Sequence, residues 1–413
     1  MTVAPALTHA RVQQLVALGA RLGDPLPVLL VTGRLDRMRA CLQDQDTCDV
    51  LIVSHLVNIR WATGFTGSAG LLVVPVDGES VFITDSRYQE RAEDELRGAG
   101  SDTRIEIRSS AAEQQARLLE LIPASARVGV EADHLAWSAA RAYESLLEGR
   151  ELVPTSNVVE NLRRNKDEAE IARLARASAI ADQALLATME LLAESPTEVE
   201  FARALDTAMV ALGAHGISFD TIIASGPNAS RPHHDPGQRV ICPGDLVICD
   251  FGALVDGYHS DMTRTVSVGP PTPDQSHHLD VVRAAQQAGV DVLAPGIDTR
   301  VVDGACRLVI DDAGWGSFFT HGTGHGIGLV IHEAPWVGRT STATLAAGDV
   351  VTVEPGVYLP GVAGVRIEDS LVVTAQGPVR LTNAPKHLLV STAPAPLGVS
   401  PCLPFPPTIS RPA

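Results

Sequence analysis

The sequence predicts an α/β domain followed by a larger domain built from a duplicated unit, and three observations carry that prediction. From Gly33 to about Pro154, short apolar runs alternate with amphipathic helical stretches, the pattern of an α/β fold. The stretch Gly244-Asp245-Leu246-Val247-Ile248-Cys249-Asp250-Phe251-Gly252 returns as Gly348-Asp349-Val350-Val351-Thr352-Val353-Glu354-Pro355-Gly356, with Gly-Asp, aliphatics, an acid and a final Gly in matching places. Each copy then doubles back through a turn to a second acid, which predicts a pair of β-hairpins.

The elements follow in order. Residues 1–32 read as a mainly helical leader without chemistry of its own. Residues 33–154 read as helix 34–42, strand 49–54, a hairpin of 70–76 and 80–84 joined at Asp77-Gly78, and helix 88–96. Strand 103–108, helix 111–121, strand 127–131 and helix 138–147 complete the domain. The glycine-rich Thr63 to Gly70 lacks the G-x-S-x-G spacing of a serine nucleophile, since Thr66 stands two before Ser68, and reads as a tight turn. A charged linker helix from Asn161 opens the larger domain, 155–390, and Ser195-Pro196-Thr197-Glu198 starts another helix with Pro near its first turn. Residues 391–413, with seven prolines and no periodicity, read as a disordered tail.

Asp256-Gly257 is a two-residue hairpin signal between apolar runs. A two-residue loop there pairs Asp250 with Thr263 and leaves Asp261 diagonal to Asp250 on the same face, roughly 7–8 Å away at the backbone. Taken alone, the pair reads equally as two solvated aspartates. The second copy adds Glu354 and, beyond Pro360-Gly361-Val362-Ala363-Gly364, Glu368. Four carboxylates facing one another carry a charge that two divalent cations would balance.

Between the hairpins lies His321-Gly322-Thr323-Gly324-His325-Gly326-Ile327-Gly328, then His332-Glu333. The glycines miss the dinucleotide fingerprint, and Trp336 stands where a zinc H-E-x-x-H motif needs its second His. What remains is a backbone able to approach a site closely while presenting imidazoles suited to ligation or proton transfer. Arg231-Pro232-His233-His234 precedes the first hairpin and reads either as a surface loop or as a site rim.

Composition bounds the rest. A net charge of -17 without a basic patch argues against nucleic acid and anionic membranes as partners. The early apolar run 25–31 is too short to span a bilayer, so the expected location is cytoplasmic. Six cysteines without a C-x-x-C pair indicate neither a zinc ribbon nor a redox motif, and most are expected to be reduced core residues.

The ordered set Asp250, Asp261, His325, Glu354 and Glu368 resembles the five-ligand site of the pita-bread metallopeptidases, in the branch of Xaa-Pro aminopeptidase (aminopeptidase P) and Xaa-Pro dipeptidase (prolidase). The resemblance covers roughly Gly33 to Val390. It implies a creatinase/prolidase-like α/β N-terminal domain, then an α+β pita-bread catalytic domain with two pseudo-symmetric halves. It also implies two divalent metal ions, manganese with cobalt or zinc as alternatives, Asp261 and Glu368 each bridging both. His233, His332, Glu354, His321 and Arg366 match the family's catalytic and supporting positions, Glu354 serving also as proton shuttle. The implied activity is hydrolysis of the Xaa-Pro bond at a peptide's N-terminus, by a homodimer acting on peptides with proline second. Pro335-Trp336, where some prolidases carry a carboxylate-clamping Arg, makes aminopeptidase P the main reading and prolidase the alternative. A metal-free creatinase-like hydrolase or a binding module is a remoter one.

Overall fold

The computed structural model describes residues 7–391, so the predicted tail lies, except for Ser391, outside the described residues. The chain divides into two compact units, Pro27–Arg163 and Pro5–Leu26 joined with Arg164 onward.

The first unit is a six-stranded sheet. In chain order the strands are β1 (Val50–Val53), β2 (Leu71–Pro75), β3 (Val81–Thr84), β4 (Arg104–Ile107), β5 (Arg127–Glu131) and β6 (Glu151–Thr155), arranged 4-3-2-1-5-6. The predicted hairpin is β2 with β3, while β1, β5 and β6 run parallel side by side. Helix Ala111–Leu121 has the predicted bounds, set by a Ser110–Glu113 capping box. Two elements carry no clear sequence signal. Helix Leu56–Thr63 holds Val57 and Ile59, which disfavour helix, and burial of Ile59, Trp61 and Ala62 overrides that preference. Strand β6 contains Pro154, which is tolerated because β6 is the sheet edge.

In the second unit, the leader helix His9–Gly19 packs on helix Glu168–Thr188, where Gly19 meets Ala175 so closely that a Cβ would stand 2.6 Å from it. The Arg176 guanidinium fastens this segment by donating to the carbonyls of Gly19, Arg21, Leu22 and Asp24. The next helix, Glu198–Ala211, begins after a Thr197–Glu200 capping box, with Pro196 immediately before the cap. A four-stranded sheet in the order Leu388–Val390, Met262–Val268, Leu246–Phe251, Ile222–Ser225 belongs to the first half of the repeat. A five-stranded sheet, Glu333–Val337, Gly324–Gly326, Val350–Val353, Asp369–Val372, Val379–Arg380, belongs to the second. Each sheet has its own apolar cluster beneath a helix pair, Glu168–Thr188 with Glu198–Ala211 and Pro273–Asp291 with Thr299–Asp312. Among the described residues no helix is long and apolar enough to cross a membrane. Cys41, Cys48, Cys249 and Cys306 are free thiols, the last three buried.

Candidate metal centre

The two copies of the repeat fold alike down to their turns. Gly244 and Gly348 have φ of +91° and +93°, a conformation that favours glycine. Asp245 and Asp349 each accept, through Oδ2, the backbone N–H three residues earlier, at 2.8 Å. Each also ties its strand to the returning one: Val268 N donates to Asp245 O, and Val373 N to Asp349 O.

In the first hairpin, Asp256 and Gly257 both have positive φ, 46° and 74°, the type I′ geometry expected of Asp-Gly. Asp250 therefore pairs with Thr263, and Asp261 falls diagonal to it, as predicted. The second hairpin turns through three residues between Leu359 and Ala363, and its register sets Glu354 opposite Glu368. Backbone and side-chain bonds join the two hairpins. Thr263 Oγ1 donates to Glu368 Oε2 (2.8 Å), Ser370 Oγ to Asp261 O (2.8 Å), and Thr265 Oγ1 to Arg366 O (2.8 Å).

This docking brings the predicted acids together. The ligand atoms of Asp261, His325 and Glu368 all lie within 4.8 Å of one another, and His325 Nε2 stands 3.5 Å from both Asp261 Oδ2 and Glu354 Oε1. Burial is the first cause of unusual acidity here, and mutual repulsion adds to it. Burial, then Glu368, Asp250 and Glu354, hold the Asp261 carboxyl well above its ordinary range. Burial, then Glu354 and Asp250, do the same to Glu368. Glu354 is pushed up to about 8 by burial, against Arg366 and with Asp250. Asp250 Oδ1 and Glu368 Oε1 are buried without a hydrogen-bond partner, a costly state for an acceptor that a cation would relieve. The residues thus fit a site for hard divalent ions with oxygen ligands and one imidazole.

His325 is prepared for that role by its strand. Its Nδ1–H donates to Gly326 O (3.0 Å), and burial lowers its pKa to about 4, so the neutral ring presents the Nε2 lone pair inward. The flanking glycines are needed because the strand is squeezed between neighbours. A Cβ on Gly324 would lie 2.1 Å from Thr352 O, and one on Gly326 2.2 Å from Ala334 O.

The other histidines differ in situation. His332 is exposed, edge-on to His325 (ring centroids 4.3 Å) and stacked beside Trp336 at 6.4 Å. His233 is exposed and close enough to His321 and His332 to act electrostatically on both. Its neighbour His234 is instead bound at Nε2 to the buried Glu198 (2.8 Å), which also holds Ser225 and Asn228. His321 has both nitrogens occupied. Nδ1–H donates to Gly322 O (2.7 Å), so Nε2 accepts from Tyr358 Oη (2.8 Å), and burial keeps the ring neutral, its pKa lowered to about 4. Tyr358 in turn accepts from Arg366 Nη1 (2.7 Å), and Arg366 Nη2 donates to Asp250 Oδ2 (2.6 Å). Donated bonds therefore run outward from Arg366, to Asp250 on one side and through Tyr358 to His321 on the other.

Sequence reasoning missed Tyr358, whose only local signal is its position in the second hairpin, and the buried ion pair Lys166–Glu333 (2.6 Å). Glu333 adjoins His332, so the pair anchors the loop that carries that histidine.

An N-terminal α/β unit preceding a two-fold repeated unit whose carboxylates converge on one imidazole is the plan of the metallo-exopeptidases, and this chain is one of them. The family model of metallopeptidase family M24 matches residues 172–375, and that of the creatinase/prolidase N-terminal domain matches 34–164. Over 347 residues the chain is 31% identical to the Xaa-Pro dipeptidase of Pyrococcus furiosus, covering 84% of this chain and 97% of that one. The chain belongs to family M24, with the pita-bread fold. Among solved structures, an Xaa-Pro dipeptidase from Bacillus anthracis superposes with a TM-score of 0.82 at 36% identity, covering 87% of this chain and 99% of that one. An X-Pro aminopeptidase from Thermotoga maritima gives 0.78 at 30%, covering 86% and 99%. The Pyrococcus and Bacillus dipeptidases and further dipeptidase relatives place the chain among prolidase-like peptidases and favour the dipeptidase alternative over aminopeptidase P. One rim position, Trp336, is a weaker guide than similarity over nearly the whole chain.

Proposed function

We propose that the chain is an Xaa-Pro dipeptidase whose two divalent ions, manganese by preference, are held by Asp250, Asp261, His325, Glu354 and Glu368. The observation that carries this is the convergence of four carboxylates and one inward imidazole lone pair at a buried place where two carboxylate oxygens lack partners. The dipeptidase assignment draws its support from the relatives' names. When bound, the ions polarise the scissile carbonyl and acidify a water.

The protein residues divide the remaining work. Asp261 and Glu368, at the seam of the hairpins, would hold the ions through their carboxylates. Arg366, held by Tyr358 and His321, fixes Asp250 Oδ2 and leaves Oδ1 free for ligation. Glu354 takes a proton from the attacking water and delivers it to the prolyl nitrogen as the C–N bond breaks. His332 and His233 donate hydrogen bonds to the developing oxyanion and to the departing prolyl residue, a contribution of about 3 kcal/mol for a well-placed donor.

A second reading, cleavage of longer peptides, is favoured by the apolar Trp336 beside His332 and by the likeness to the Thermotoga aminopeptidase. The test is manganese-dependent hydrolysis of Ala-Pro, Ala-Pro-Ala and Ala-Ala in parallel. Preference for Ala-Pro upholds the proposal. Faster release of Ala from Ala-Pro-Ala moves the chain to the second reading, and turnover of Ala-Ala alone refutes both.

A further inference from the structure

We propose that the N-terminal unit holds a second, separate metal site for a zinc-like transition-metal ion, formed by His55, His134 and Glu160. Each of the three offers a ligand atom, and these atoms lie within 4.8 Å of one another. Their place in the fold is that of a ligand site. His55 follows β1, His134 follows β5 and Glu160 follows β6, so all three stand beyond the carboxyl ends of three adjacent parallel strands. Open α/β sheets bind ligands at that edge.

The surroundings are organised as those of a ligand set. Glu131, the last residue of β5, accepts the backbone N–H of Ser54 and of His55 and the amide of Asn58, each at 2.7 Å, which fixes the backbone carrying His55. Asn58 also donates to Glu160 Oε1 (2.5 Å), and its own carbonyl is held by Arg163 (2.8 Å). Such secondary bonds orient metal-binding side chains. His134 Nε2 already meets Glu160 Oε1 at 2.8 Å. His55 Nδ1, by contrast, is buried without a hydrogen-bond partner, an unsatisfied nitrogen in a polar place. A cavity of about 10 Å³, the room of one water or ion, is lined by Glu131, Asp133, His134, Asn157 and Glu160 among others.

The two imidazoles lie stacked, centroids 3.7 Å apart and planes within 9°. A nitrogen lone pair lies in its ring plane, so parallel rings cannot both aim at one point. Binding therefore turns His134, the more accessible ring, out of the stack while Glu131 keeps His55 in place. Two nitrogens and one carboxylate oxygen with water completing the shell suit zinc, and also cobalt or nickel, better than calcium or magnesium.

The experiment uses the full chain, stripped with a chelator, dialysed against micromolar zinc and analysed for bound metal. The wild type is expected to hold one equivalent more than His134→Ala or Glu160→Gln, with both variants keeping manganese-dependent hydrolysis of Ala-Pro within about twofold of wild type. Equal zinc contents in wild type and in both folded variants, judged by far-ultraviolet circular dichroism, would overturn the proposal. A measurement in Asp261→Ala, where the metal centre between the hairpins is disabled, keeps the two sites apart. X-ray absorption of zinc retained there should show two imidazole nitrogens, and loss of all zinc from that variant would also overturn it.

Discussion

Stripping the metal from the centre should make the protein less stable as pH rises from 6.5 to 8. Burial pushes the Glu354 carboxyl up to about 8, from an ordinary value near 4.5, and Asp261 and Glu368 are raised as well. In this window the unfolded chain has released the Glu354 proton, while the folded, metal-free chain keeps most of it until pH reaches about 8. The folded state therefore binds more protons, and unfolding free energy must fall with pH by about 1.4 kcal/mol per unit for each proton kept. The stabilisation is full below the unfolded value and is lost as pH passes through the folded one. Four histidines lowered to about 4 by burial, His55, His278, His321 and His325, act in the opposite sense, but only below pH 6.5, where the unfolded chain gains protons that they refuse. The assay is urea denaturation of chelator-treated protein at pH 6.5, 7, 7.5 and 8, beside Glu354→Gln, which carries no titrating group at that position. From Glu354 alone wild type should lose about 1 kcal/mol per pH unit, most steeply near pH 6.5 and less towards pH 8, and the variant should show a slope shallower by that amount. Manganese should abolish the slope, because a bound cation holds the acids ionised. A flat or rising profile in metal-free wild type would refute the account of a crowded, buried acid cluster.

Other outcomes follow from particular contacts. Asp261→Ala should lower metal affinity and turnover at least 100-fold, beyond the 10–100-fold range of outer-shell changes, as read by metal titration and Ala-Pro hydrolysis. Tyr358→Phe removes the hydroxyl between Arg366 and His321. It should cost about 1–3 kcal/mol of stability and lower manganese affinity about tenfold or more, the loss lying in affinity before rate at saturating metal. Lys166→Met leaves the Glu333 carboxylate buried without its cation and should cost about 3–5 kcal/mol, measured by denaturation at pH 7.

The parts of the site that sequence revealed are those written in local rules. Asp256-Gly257 dictates a type I′ turn, the turn dictates register, and register puts Asp250 and Asp261 on one face. The repeat of Gly-Asp, strand and acid exposed the second hairpin in the same way. The glycines around His325 were visible as a motif, but their reason is the approach of Thr352 and Ala334, which no local pattern states. Tyr358, the Lys166–Glu333 pair and the bond from His234 to Glu198 join residues 37, 167 and 36 positions apart, and a side chain's long-range partner leaves no periodicity to read. The leader shows the same limit: its helicity was legible, whereas its packing with Glu168–Thr188 rests on Gly19 meeting Ala175 and on Arg176.

Anomalous diffraction from crystals of the manganese-loaded protein would locate the metal ions between the two hairpins. Two manganese peaks are expected between the hairpins, bounded by Asp250, Asp261, His325, Glu354 and Glu368, with both lost in Asp261→Ala. No peak there in the loaded protein, or two undiminished peaks in the variant, would contradict the metal assignment.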